Sequence, residues 1–168
     1  MALSMYSASV PVFVRYLSAL AGVLKKAEAH CAAKKIDPSV LVTARLYPDM
    51  FALARQVQIA SDHAKGCCAR LAGVEIPKFA DTEATFDELQ ERIKKTLDFV
   101  KGFKPADIDG SDSKDIVLDI HGTKYEFQGA DYLSIWALPN FFFHTTTAYA
   151  ILRHSGVEVG KRDFMGAA

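Results

Sequence analysis

The chain of 168 residues carries no excess of either charge: 20 Lys and Arg stand against 20 Asp and Glu, for a formal net charge of +0. Nucleic-acid binders draw much of their affinity from a basic face that neutralises phosphates, so this balance excludes that class of partner. The amino-terminal stretch MALSMYSASVPVFVRYLSAL has no basic leader and is interrupted by Ser7, Ser9, Pro11 and Arg15. Neither a signal peptide nor a membrane span is expected from it. Cysteine is scarce and oddly numbered, with Cys31, Cys67 and Cys68 in no CxxC or Cys/His spacing. Neighbouring cysteines on a helix diverge by about 100°, which resists a bridge, so the three are expected to be buried small hydrophobes in a reducing compartment, the cytoplasm. There is also no GxSxG and no glycine-rich phosphate loop, which argues against serine-hydrolase and nucleotide chemistry.

What is present suits a single packed domain over residues 1–168: 50% of residues are hydrophobic and 24% charged. Val12, Tyr16, Leu20, Val23 and Leu24 recur at helical spacing and predict a first helix from about Ser9, a candidate cap, to Lys35. Asp37 followed by Pro38 reads as a cap with proline at the first helical position, opening a short helix that ends before Pro48. Met50, Leu53, Val57, Ala60, Ala64, Cys68 and Leu71 form one apolar stripe of a second long helix from about Asp49, stopped at Gly73. Thr85 and Glu88 supply a capping box for a third, FDELQERIKKTLDFV, closed by Gly102. IVLDIHGTKYEF alternates on either side of His121-Gly122 and predicts a hairpin. A last long helix is expected from an Asp131 cap to about Arg153, kinked at Pro139 through the displaced carbonyl of Ile135. The expected class is all-α: an antiparallel four-helix bundle with a small β-hairpin between the third and fourth helices.

The candidate site starts from Asn140 and His144, which leave one face of the last helix because they are spaced by four. Ala137, Ala148 and Ile151 share that face, so an amide and an imidazole are placed among apolar neighbours and need partners. Two readings follow. His144 is a core histidine satisfied by its surroundings, with the hydroxyls of Thr145, Thr146 and Thr147 close in sequence. Alternatively, His144 and Asn140 line a polar pocket for a small molecule with Gln58 or Gln56 from the second helix. Those two glutamines are roughly 200° apart, so only one faces His144, and Gln58 is the one expected. Asp62 shares the Gln58 face, either to orient a ligand or to meet solvent. His30 and His63 are expected at the surface, His121 in the hairpin turn and His154 at a helix carboxyl end. In an enzyme, His144 would serve as a general base or a lone metal ligand. Trp136, Phe141, Phe142, Phe143 and Tyr149 encircle the last helix, implying either a central place in the bundle or contact with a second copy; a homodimer is expected. Arg45, Tyr47, Asp49 and Arg55 around PDMF form a further polar cluster, or simply caps and an ion pair.

LSMYSASVPVFVRYL, RLYPDMFALARQVQIASDHAKG, PNFFFHTTTAYAILRHSGV and the closing GKRDFMG resemble the bacterial domain of unknown function family 1993, a relative of the DinB-like and YfiT-like four-helix bundles. The resemblance spans nearly the whole chain. It implies a divalent metal, zinc or nickel, bound by three histidines, one on helix two and two spaced by four on the last helix before a Leu-Arg pair and a glycine. Leu152, Arg153 and Gly156 match that tail. His144 then takes the second of the spaced positions, Asn140 stands at the first, and the helix-two position falls on or near Gln58, with Gln56 as the other candidate. Two of the three ligand positions thus carry amides, which are weak neutral ligands, so a degenerate metal site is what the resemblance implies. Relatives that transfer small thiols use the metal to activate a thiolate, giving a thiol transferase or hydrolase as the alternative activity. A bundle with a purely structural or stress-linked role is the third.

Overall fold

The computed structural model describes residues 3–166. It is mostly helical with one small antiparallel sheet: α1 (Val10–Lys34), α2 (Pro38–Val42), α3 (Leu53–Ala72), α4 (Phe86–Lys101), α5 (Pro105–Ile108), β1 (Asp115–Ile120), β2 (Thr123–Gln128), α6 (Gly129–Asp131), a π-helical stretch (Tyr132–Ala137), α7 (Leu138–His154) and α8 (Lys161–Met165). Among the long helices, α3 packs against both α4 and α7, and α1 packs against α4 and α7. Phe13 of α1 meets Phe141 of α7 edge to face, with ring centroids 5.0 Å apart and both side chains fully buried.

Several helix ends follow their local chemistry. The Asp37 carboxylate accepts the Ser39 N–H at 2.9 Å, with Pro38 following at the first turn. Thr85 and Glu88 form the reciprocal capping box of α4, and Gly73 ends α3 at φ 74°, in the left-handed region that glycine enters freely. Ser9 departs from expectation, because its hydroxyl donates to the Met5 carbonyl at 2.6 Å and gives no side-chain cap to α1. The second long helix begins at Leu53 rather than Asp49. Leu53 N–H reaches back to the Ala44 carbonyl at 2.9 Å, holding residues 45–52 as an irregular loop. The hairpin has the register Ile120↔Thr123 through Asp115↔Gln128, turning at His121 (φ 53°) and Gly122 (φ 85°). Ile116 and Leu118 point from β1 into the core.

The expected kink near Pro139 takes the form of a π-helical stretch immediately before α7. Proline has no N–H to give to the carbonyl one turn back, and a wider i→i+5 turn absorbs the missing bond without breaking the helix. Asp131 is not the cap, because helical structure starts two residues earlier at Gly129. Gly129 is required there: a Cβ would collide with the Ser111 carbonyl oxygen. The closing segment packs across α1, with Lys26 paired to Asp163 at 2.6 Å and Phe164 between Tyr16 and Tyr149.

Candidate functional site

His144 is buried on α7, and its Nδ1 lies 2.7 Å from Oε1 of Gln56 on α3. The Gln56 amide is itself oriented, since its Nε2 donates to the Phe51 carbonyl at 3.0 Å in the loop preceding α3. An amide oxygen only accepts, so His144 must carry its proton on Nδ1, which leaves Nε2 as a lone-pair nitrogen. Nε2 makes no hydrogen bond among the described residues. Burial pushes the His144 pKa down to about 4, with the nearby Arg55 charge adding to the shift, so the ring is neutral at pH 7.

Gln56, rather than the expected Gln58, is therefore the glutamine that meets His144. Gln58 turns the other way, donating to Glu83 at 2.9 Å and accepting from Arg55 at 3.2 Å. Asn140 donates to the Trp136 carbonyl one turn back, at 2.8 Å. His63 is the residue missed by sequence reasoning. It is not a surface histidine: its ring stacks on His144, with centroids 6.0 Å apart and planes 15° from parallel. Burial holds His63 at about 4 as well, with the His144 ring and Arg70 lowering it further and Asp62 opposing them. Its separation of seven residues from Gln56 was the available signal, because two helical turns return to the same face.

A cleft of about 300 Å³ opens beside this pair, lined by His63 and Arg70 of α3, Tyr132, Trp136 and Asn140 of the last helical run, and residues of β1. Positions 132, 136 and 140 would drift about 40° per step around an unbroken α-helix. The wider π turn brings them back into line, so this distortion builds one wall of the cleft. Arg70 donates to the Tyr132 hydroxyl at 3.1 Å. Its guanidinium lies over Gly66, where a Cβ would stand 2.7 Å from Nη1. A glycine in a helix interior costs about 1 kcal/mol relative to alanine, and here it makes room for Arg70. Burial keeps the Tyr132 phenol protonated by raising its pKa.

Asp62 also lines the cleft and joins it to a network around Arg92, whose side chain is 1% exposed and reaches Asp62 at 2.8 Å, Asp81 at 2.9 Å and Glu83 at 3.0 Å. Lys65 joins at 2.7 Å from Asp62, and Arg55 pairs with Asp81. This network pins the connection between α3 and α4. Arg55 is thus tied to Asp81 and not to the PDMF segment. Cys31, Cys67 and Cys68 are free and buried, and burial pushes the Cys68 thiol up to about 12.

A family model for the Domain of unknown function (DUF1993) matches residues 5–165. The chain belongs to this family. A DinB family member protein from Shewanella denitrificans, known from its crystal structure, is 42% identical to this DUF1993 chain. The alignment covers 97% of this chain and 92% of that one, with a TM-score of 0.88. No curated protein matches the sequence.

The divalent metal implied by DinB-like relatives does not fit the residues present. The Gln56 oxygen is taken up by the His144 proton and both ends of the Gln58 amide are engaged. That leaves His63 and His144, two imidazoles with ring centroids 6.0 Å apart, short of the three or four protein ligands that a zinc site needs. Among the described residues no group of three or more His, Cys, Asp or Glu is arranged to hold a metal. No described helix is long and apolar enough to cross a membrane.

Proposed function

We propose that this DUF1993 chain is a cytoplasmic small-molecule-binding protein built as a DinB-like antiparallel four-helix bundle. Its ligand occupies the cleft between α3, the π turn and β1. The observation that carries this reading is the π-helical distortion, because π turns gather at functional sites and this one aligns Tyr132, Trp136 and Asn140 on a cavity that also holds His63. His144, its tautomer fixed by Gln56, stands against the His63 ring. A neutral, proton-accepting imidazole beside an amide and a phenol suits a ligand recognised by hydrogen bonds, against the apolar face of Trp136. Free buried cysteines support a reducing compartment. In the same reading two copies pair through exposed aromatics flanking His144, with Phe143 57% and Phe51 54% exposed.

A fragment screen followed by NMR of the histidine ring signals tests this function. Binding fragments are expected to shift His63 strongly and His144 weakly, with both responses lost in Asn140→Ala or Trp136→Ala protein that remains folded. If hits map consistently to other faces of the molecule, or no fragment perturbs these rings, the reading is wrong.

A further inference from the structure

We propose that the cleft selects a small aromatic carboxylate, with Arg70 receiving the anion, His63 and Asn140 beside it, and Trp136 against the ring. This rests on the cleft being the ligand site. Arg70 lines the cavity yet enters no ion pair among the described residues; its one protein hydrogen bond goes to the neutral Tyr132 hydroxyl. A half-buried guanidinium with unused N–H donors matches the two oxygens of a carboxylate. The two acids of the same cleft, Asp62 and Asp119, bond elsewhere than to Arg70. The Asp62 oxygen is shared by Arg92 and Lys65, and the Asp119 carboxylate takes the Gly122 N–H of the hairpin turn at 2.9 Å. Neither carboxylate forms an ion pair with Arg70, whose guanidinium has no carboxylate partner among the described residues. Gly66 is the second observation: a helix-weakening residue stands where any side chain would displace this guanidinium. Trp136, flanked by Tyr125 at 5.3 Å and Phe127 at 5.6 Å, supplies an apolar surface on which a ring can lie.

Trp136 is the single tryptophan of the chain, so its fluorescence reports on this cleft alone. Benzoate, benzamide and benzamidine, which share a ring and differ in charge, are titrated into the full chain at pH 7. Benzoate is expected to give a saturable change and to bind about tenfold tighter than either analogue, the margin of one charge-assisted contact. Arg70→Gln should weaken benzoate by about tenfold, with Arg70→Lys between. Gly66→Ala retains every charge, favours the helix and pushes the guanidinium aside; it should also weaken benzoate while leaving the circular-dichroism spectrum unchanged. The proposal is overturned if benzamide matches benzoate, if Arg70→Gln and Gly66→Ala both bind benzoate like the parent, or if benzoate gives no saturable change. Saturation by benzamide or benzamidine alone would reject the carboxylate while retaining the cleft as a ligand site. Silence from all three, joined to a fragment screen that misses His63, would reject both.

Discussion

Gln56 Oε1 faces His144 Nδ1 at 2.7 Å, and because the same glutamine is anchored through its Nε2 to the Phe51 carbonyl, the histidine has one permitted tautomer. Replacing Gln56 by glutamate keeps the acceptor and adds a negative charge in a poorly solvated place. Gln56→Glu should then raise the His144 pKa from about 4 by at least about two units, since an adjoining carboxylate stabilises imidazolium. A ring-signal titration by NMR measures it directly. A midpoint that stays put would mean that the two side chains do not meet in solution.

Acid should destabilise the fold in a defined window. His63 and His144 are both held near 4 in the folded chain, against 6.5 for an ordinary histidine, chiefly because burial disfavours their charged forms. Between these values the unfolded chain binds more protons, so stability is full above about pH 6.5, falls as pH drops towards 4, and levels off for these groups below that. The slope is at most about 1.4 kcal/mol per pH unit for each histidine. Urea denaturation at successive pH values should show it, and His63→Asn should remove roughly half. A flat profile between pH 6.5 and 5 would contradict the burial of both rings.

How far the sequence disclosed these relationships depended on whether a feature was local. The capping box at Thr85 and Glu88, the Asp37-Pro38 start and the His121-Gly122 turn are fixed by contacts within a few residues, and all were legible. The partners of α3 were not. A single apolar stripe implies one buried face, but α3 is packed between α4 and α7 and buries Gln56, Gln58, Ser61 and Lys65 as well as its stripe. Polar residues on a second buried face look like surface to any hydrophobicity pattern. Hence the pattern alone puts His63 at the surface and Gln58 against α7, whereas His63 stacks on His144 and Gln58 serves the Arg92 network on the α4 side.

That division of the glutamines makes a gain-of-function test. If the three-histidine arrangement of DinB-like relatives maps onto Gln56, then Gln56→His combined with Asn140→His should take up near-stoichiometric zinc with His144, whereas Gln58→His with Asn140→His should not. The parent chain, offering amides at both positions, should stay well below one zinc per molecule after dialysis. Metal analysis by mass spectrometry decides. Equal loading of the two double variants would show that α3 turns differently against α7.

Arg92 carries the heaviest structural demand, because one guanidinium that is 1% exposed meets three carboxylates from two segments. Arg92→Leu fills much of the volume but leaves Glu83, 12% exposed, without its cation, and should cost about 3 kcal/mol, the lower end for breaking a buried pair because Asp62 and Asp81 are partly hydrated. Arg92→Lys keeps the charge, loses the planar fork that reaches several acceptors at once, and should cost about 1–2 kcal/mol. The loss has a location. With the pin removed, the connection of residues 73–85 loses its ties to α4 through Ala80, Asp81 and Glu83. Limited proteolysis should therefore cut there first, before α3 or α7 opens. Unfolding that stays fully concerted, with no early cleavage in that connection, would show that contacts independent of Arg92, such as Lys65 over the Phe79 ring, hold the segment down.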